Sequence, residues 1–193
     1  MRTIFYIIIF FFTFFSYSQS TQVDDTFKIE VKKVDQRSRL FQMHFKGYYI
    51  RIPADSKKIQ FKLKATSINN EKETFNPNYL YVVLRDLKVR LRPFDGDFIQ
   101  LVNAKPDEKT PYYGYQYRPE VLDTFKDYQM EGYKDIETCI NYGTERKPHE
   151  KPIYFNTREM KSETFNIYFA MPKNQTSGEL FYGDVKLMDF TLE

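Results

Sequence analysis

Apolar and polar residues alternate with period two along most of this chain. In Phe27, Ile29 and Val31 the apolar side chains share one face while Lys28, Glu30 and Lys32 take the other, the pattern of a half-buried antiparallel strand. The pattern returns at Phe41, Met43 and Phe45; at Ile59, Phe61, Leu63 and Ala65; at Leu87, Val89 and Leu91; and at Phe165, Ile167, Phe169 and Met171. Turn chemistry separates these runs at Lys46-Gly47, Asn69-Asn70, Asn76-Pro77-Asn78, Asp95-Gly96-Asp97 and Gly183-Asp184. About eight to ten short strands at this spacing, with no regular helix between them, predict an all-β chain folded as an antiparallel β-sandwich.

Between Asn103 and Pro152 the alternation gives way to Pro, Tyr and charge. The stretch is too long for an ordinary loop and is expected to carry structure of its own. One short helix is predicted there. Pro119 suits a first helical position, Val121, Leu122, Phe125 and Tyr128 recur on one face, and Gly132 offers a left-handed stop. Ile136, Thr138, Ile140 and Tyr142 then resume the alternation.

The N-terminus is of another kind. Arg2 precedes an apolar run from Ile4 to Phe15 broken only by Thr13, and Ser16 and Ser18 flank Tyr17 as a cleavage site requires. This predicts a secretory signal peptide over residues 1–18, cleaved near Ser18. The run is too short to be an anchor, because crossing ~30 Å of hydrocarbon takes ~20 apolar residues. The expected mature chain, residues 19–193, is a single sandwich domain with residues 103–152 as an elaborated insertion. It is expected to have no transmembrane span after cleavage and to work in the periplasm or outside the cell.

Four segments follow one another in a familiar order: Asn76-Pro77-Asn78, Arg90-Leu91-Arg92-Pro93, the stretch from Asp123 to Gly143, and the ending Leu180-Phe181-Tyr182-Gly183-Asp184. The layout resembles that of uncharacterised small secreted bacterial proteins with an immunoglobulin-like domain of unknown function. The resemblance spans most of the mature chain and implies an Ig-like sandwich in an extracytoplasmic setting. It brings no catalytic residues with it, and the stretch from Asn103 to Pro152 is longer than a compact Ig-like domain needs.

Composition narrows the chemistry. With 19 Phe, 16 Tyr and no Trp, rings of the first two kinds must build the core. Cys139 is the single cysteine, which excludes an intramolecular disulfide and any zinc site needing two thiolates; it is read as a small buried hydrophobe. The net charge of +3 is unevenly spread, with the basic excess between Gln19 and Gln100 and an acidic excess beyond. An exported chain of this kind has no occasion to meet intracellular nucleic acid, so none is expected as a partner.

No constellation for catalysis stands out. His44 and His149 lie far apart in sequence, no GxSxG elbow precedes a helix, and in a chain with seven glycines no phosphate-binding loop or dinucleotide fingerprint occurs. Asp95-Gly96-Asp97 offers two carboxylates of the kind calcium takes, but Asp-Gly is among the commonest turn dipeptides and the three residues are read as turn chemistry. No cofactor is expected. Asn174-Gln175-Thr176 matches an N-glycosylation sequon on an expected exposed turn, and in a bacterial chain it is read as coincidence.

Two features could bind a partner. Tyr112, Tyr113, Tyr115 and Tyr117 with Arg118 could stack on sugar rings and hold a carboxylate, or the same tyrosines could form a strand that covers the core. The alternation also turns Lys28 and Lys32, Lys62 and Lys64, and Lys88, Arg90 and Arg92 away from the core. If these strands share a sheet, its outer face would attract anionic glycans, headgroups or acidic proteins, although exposed lysines also protect sheets from aggregation. The chain is therefore read as an exported, non-enzymatic binding or interaction module, its partner an unidentified envelope protein or glycan. The alternative is a carbohydrate-binding module that uses the tyrosine segment, and an enzyme without a recognisable catalytic motif comes third.

Overall fold

Twelve residues from Ser56 to Ser67 form the central strand of the molecule, because Ile59, Phe61, Leu63 and Ala65 all point into one apolar layer. The structure, a computed structural model, describes residues 20–37, 44–45, 48–51, 54–97, 128–136, 139–141, 146–148, 150–152, 155 and 157–192. In chain order its strands are β1 (Ser20–Gln22), β2 (Phe27–Arg37), β3 (His44–Phe45), β4 (Tyr48–Arg51), β5 (Ser56–Ser67), β6 (Glu73–Phe75), β7 (Leu80–Leu84) and β8 (Val89–Leu91). They continue with β9 (Asp95–Gly96), β10 (Lys134–Ile136), β11 (Cys139–Asn141), β12 (Glu150–Pro152), β13 (Arg158–Met160), β14 (Ser162–Pro172), β15 (Ser177–Tyr182) and β16 (Val185–Thr191).

One sheet runs β1-β2-β5-β14-β9 and a second runs β10-β8-β7-β15-β16. Their inner faces meet in a single cluster in which Phe61 contacts Phe169 of its own sheet and Phe190 of the other, ring centres 5.6 and 5.1 Å apart. This is the all-β sandwich that the alternation predicts. Phe75, on β6, closes one end of the cluster among Phe27, Phe165 and Tyr182, each about one ring width away. A smaller sheet, β12-β11-β4-β3, and the pair β13-β6 complete the strands.

The expected turns at Asn69-Asn70 and Gly183-Asp184 are present, with Asn70 and Gly183 both at positive φ. Gly183 opens a two-residue hairpin between Tyr182 and Val185, a place where an L side chain would be strained. Asn76-Pro77-Asn78 forms a short 3-10 turn capped by the Asn76 side chain. Asn78 is buried there and exchanges two 2.8 Å hydrogen bonds with the backbone of Phe155.

Four expectations need correction. Leu87, read as inward-facing, lies in a 3-10 turn between β7 and β8 and is 41% exposed, because Lys88 takes a left-handed conformation that breaks the strand. Asp95-Gly96 is no turn but an edge strand paired with Ile167 and Tyr168. The sandwich is not purely antiparallel, since β10 runs parallel to β8. Of the predicted helix only the end is described, and there Tyr128, Glu131 and Gly132 lie in turns and Gln129 and Met130 in irregular backbone, with Gly132 at positive φ. The rest of that helix, the Lys46-Gly47 turn, Phe41, Met43 and the signal segment lie outside the described residues. Among the described residues no helix is long and apolar enough to cross a membrane.

Candidate functional site

The outer face of the β1-β2-β5-β14-β9 sheet is built by the same alternation that fills the core. Along β5 the residues alternating with Ile59, Phe61, Leu63 and Ala65 are Gln60, which is itself buried, Lys62 and Lys64, and opposite them on β14 stand Tyr168, Asn166 and Thr164. On the other side β2 places Glu30 against Lys64, Lys33 against Lys62 and Asp35 against Gln60. Strict alternation would have turned Lys33 and Asp35 inward. A β-bulge between Val31 and Lys33 inserts one residue, so that Val34 returns to the core and Lys33 and Asp35 join Lys28 and Glu30 outside.

Lys33, Asp35, Gln60, Lys62 and Asn166 line a groove of about 350 Å³ on this face. Its floor is a chain of amides. Gln60 Nε2 donates to Asn166 Oδ1 at 2.5 Å, and Asn166 donates from its backbone N and its Nδ2 to Asp97 Oδ2, both at 2.8 Å. Lys33 Nζ lies 2.9 Å from Asp35 Oδ2, and Lys32 Nζ lies 2.5 Å from Glu30 Oε1. Lys28, Lys62 and Lys64 have no ion-pair partner among the described residues. Around the groove the face therefore carries five lysines, Lys28, Lys32, Lys33, Lys62 and Lys64, against Glu30, Asp35 and Asp97, with Lys33 and Lys62 directly opposite one another.

Beyond the groove the same face is closed. Lys58 is 4% exposed, with its Nζ 4.0 Å from the centre of the Tyr168 ring and 3.9 Å from Asp95 Oδ2. Burial pushes the Asp95 carboxyl above its ordinary range, an effect that the attraction of Lys58 and the hydrogen bond from the Gly96 N–H only partly offset. Asp95 and Asp97 are thus each engaged within the sheet. Among the described residues no group of three or more His, Cys, Asp or Glu side chains could hold a metal ion.

The structure separates the basic residues that the sequence grouped together. Lys62 and Lys64 belong to the outer face as expected. Lys88 is exposed, but it sits beside a turn of the other sheet. Arg90 and Arg92 are only 1% and 4% exposed and leave the basic surface altogether. The outer side of their sheet is covered next to them by the segment from Tyr128 to Tyr133, whose Tyr128, Met130 and Tyr133 pack against Tyr81 and Val83 of β7, while β10 pairs with the edge of β8. Under this cover Arg90 binds Asp135 with two nitrogens, donates to the Tyr128 carbonyl and lies 5.4 Å from the Tyr81 ring centre. Burial pushes the Tyr81 hydroxyl up to about 12, and its proton is donated to the Gly183 carbonyl at 2.8 Å.

Tyr112, Tyr113, Tyr115, Tyr117, Arg118 and His149 lie outside the described residues, as do the side chains of His44 and Cys139. Asn174 of the sequon is exposed on the turn between β14 and β15. Sequence reasoning missed Lys33, Asp35, Gln60 and Asn166 as a group. The one available signal was the break in phase at Val31-Lys32-Lys33-Val34, where two lysines separate two valines.

Comparison with protein-family models, with curated proteins and with solved structures finds no match for this chain.

Proposed function

We propose that the protein is an exported, non-enzymatic binding module that holds its ligand on the outer face of β2, β5 and β14. One observation carries this. Lys33 stands directly opposite Lys62 over a polar groove, and Lys62 has no anionic partner among the described residues. Like charges directly opposite on neighbouring strands destabilise a sheet, so the arrangement becomes favourable when an anionic group of a ligand sits between them. The lining groups are amines, amides and an ion-paired carboxylate, which orient and hold a polar ligand. The export part of the proposal rests on the N-terminal pattern of Arg2, the Ile4 to Phe15 run and Ser16-Tyr17-Ser18.

A panel of immobilised envelope glycans and envelope proteins tests the face directly. Binding should weaken as salt rises, because screening at ~0.15 M acts over about 8 Å. It should vanish in a Lys62→Glu/Lys64→Glu double variant whose melting temperature is unchanged. Retention of every interaction by the double variant would remove this face as the binding site.

A further inference from the structure

On the reading of this face as a binding site, we infer that its ligand is a polysaccharide chain carrying uronic acid carboxylates. The first reason is the kind of charge. The groove presents Lys33 and Lys62 facing each other, and Lys64 follows two residues along β5, at a strand repeat of roughly 6.6 Å. Lys62 and Lys64 thus place two amines without an ion-pair partner among the described residues on the scale of one sugar, with Glu30 opposite Lys64 and Lys28 beyond it on β2.

The second reason is the carboxylate among the cations. Asp35 lines the same groove, and an ion-paired carboxylate still has lone pairs that accept hydrogen bonds. A ligand that suits this groove must bring donors as well as negative charge. A uronic acid chain does, with one carboxylate on each charged sugar and hydroxyls between. The hydroxyls can donate to Asp35 and exchange bonds with the Gln60 and Asn166 amides, while the carboxylates lie over Lys62 and Lys64. Single-stranded nucleic acid is usually held by aromatic stacking platforms, and among the described residues no aromatic lines this groove.

The third reason is what the groove leaves out. Protein interface cores draw on aromatic residues, Met and Arg and are depleted in Lys. This groove is lined by Lys, Asp, Gln and Asn, and the exposed large hydrophobic among the described residues, Leu87, lies beside the other sheet.

Calorimetric titration of the purified protein with polygalacturonate, its fully methyl-esterified form, dextran sulfate (a polyanionic glucan without uronic acid) and single-stranded DNA tests the inference. Polygalacturonate should bind, and its ester should bind at least about tenfold more weakly. Lys62→Gln should weaken the acid form about 5- to 10-fold, the loss of one charge-assisted contact, with no change in melting temperature. Equal binding of acid and ester, or no binding of polygalacturonate, overturns the uronate ligand. If dextran sulfate or DNA binds instead and Lys62→Gln weakens it, the face stands and the ligand class falls. If polygalacturonate binds Lys62→Gln and the Lys62→Glu/Lys64→Glu variant as it binds the parent, both the ligand's place and the face are overturned.

Discussion

Arg90 donates from Nε and Nη2 to the two carboxylate oxygens of Asp135, at 2.7 and 2.8 Å, across the parallel pair of β8 and β10. The contact ties residues 128–136 to the sandwich. It also explains how an arginine with 1% exposure is accommodated: its charge meets a fork-shaped match in the carboxylate, a carbonyl and the face of Tyr81. The neighbouring backbone adds two more links, from Lys134 N to the Lys88 carbonyl at 2.9 Å and from Arg92 N to the Ile136 carbonyl at 3.2 Å.

Breaking the pair from the Asp135 side should therefore cost more than its place near the surface suggests. Removing one partner of a buried ion pair destabilises by ~3 to 5 kcal/mol, and because the Asp135 side chain keeps 30% of its exposure the lower end, about 3 kcal/mol, is expected for Asp135→Asn. Urea denaturation reads the change, with Lys28→Gln as a surface control expected to stay within about 0.5 kcal/mol. Midpoints that coincide would show that the clasp is not what seats Arg90.

Gly178 marks a place on β15 where the core side chains of the flanking strands leave no room for a methyl group. A Cβ there would stand 2.9 Å from Leu84 Cδ2 and 2.9 Å from Phe190 Cζ. Overpacking of a filled core costs ~1 to 3 kcal/mol, so Gly178→Ala should lower the melting temperature although alanine suits a strand better than glycine does. Gly178→Ala combined with Phe190→Leu should recover part of the loss. A single variant as stable as the parent would mean that the Phe190 ring moves aside freely.

The burial of Asp95 predicts an inverted pH dependence for one carboxylate. Its folded pKa is raised above the ordinary ~3.9 of the unfolded chain, so between those two values the native state holds the proton more often than the unfolded state does. The contribution of Asp95 is then most favourable at low pH and is lost as pH rises through the raised value. Melting curves of the parent and of Asp95→Asn, taken from pH 3 to pH 7, should show the parent losing ground to the variant as pH rises. The opposite trend would mean that the ion pair with Lys58, at 3.9 Å, outweighs the burial.

The long strands of the first sheet, β2, β5 and β14, were legible in the chain because each has one face in the core and one outside. Phe165, Ile167, Phe169 and Met171 could be assigned to the inner face from spacing alone, and all four are buried. The second sheet reads less clearly for a physical reason. In β7 five successive residues, Leu80 to Leu84, are buried, since the inner face meets the sandwich core while the outer face lies under Tyr128, Met130 and Tyr133. A strand covered on both sides has no period of two to detect.

The same cover decides the fate of the basic residues. Side-chain direction follows from alternation, so Lys62, Arg90 and Arg92 could all be turned away from the core by reading the chain. Whether the outward side meets water depends on what else packs there, and that is a property of distant segments. Asp135, 45 positions after Arg90, turns an apparent surface cation into a buried anchor, whereas nothing described pairs with Lys62. The bulge after Val31 acts in the same way on a smaller scale, moving Lys33 and Asp35 to the face where Gln60, Lys62 and Asn166 complete the groove. Local periodicity, a matter of backbone geometry, determined the strands and their inner faces. The groove needed the register between strands far apart in sequence, which only the packed tertiary structure decides.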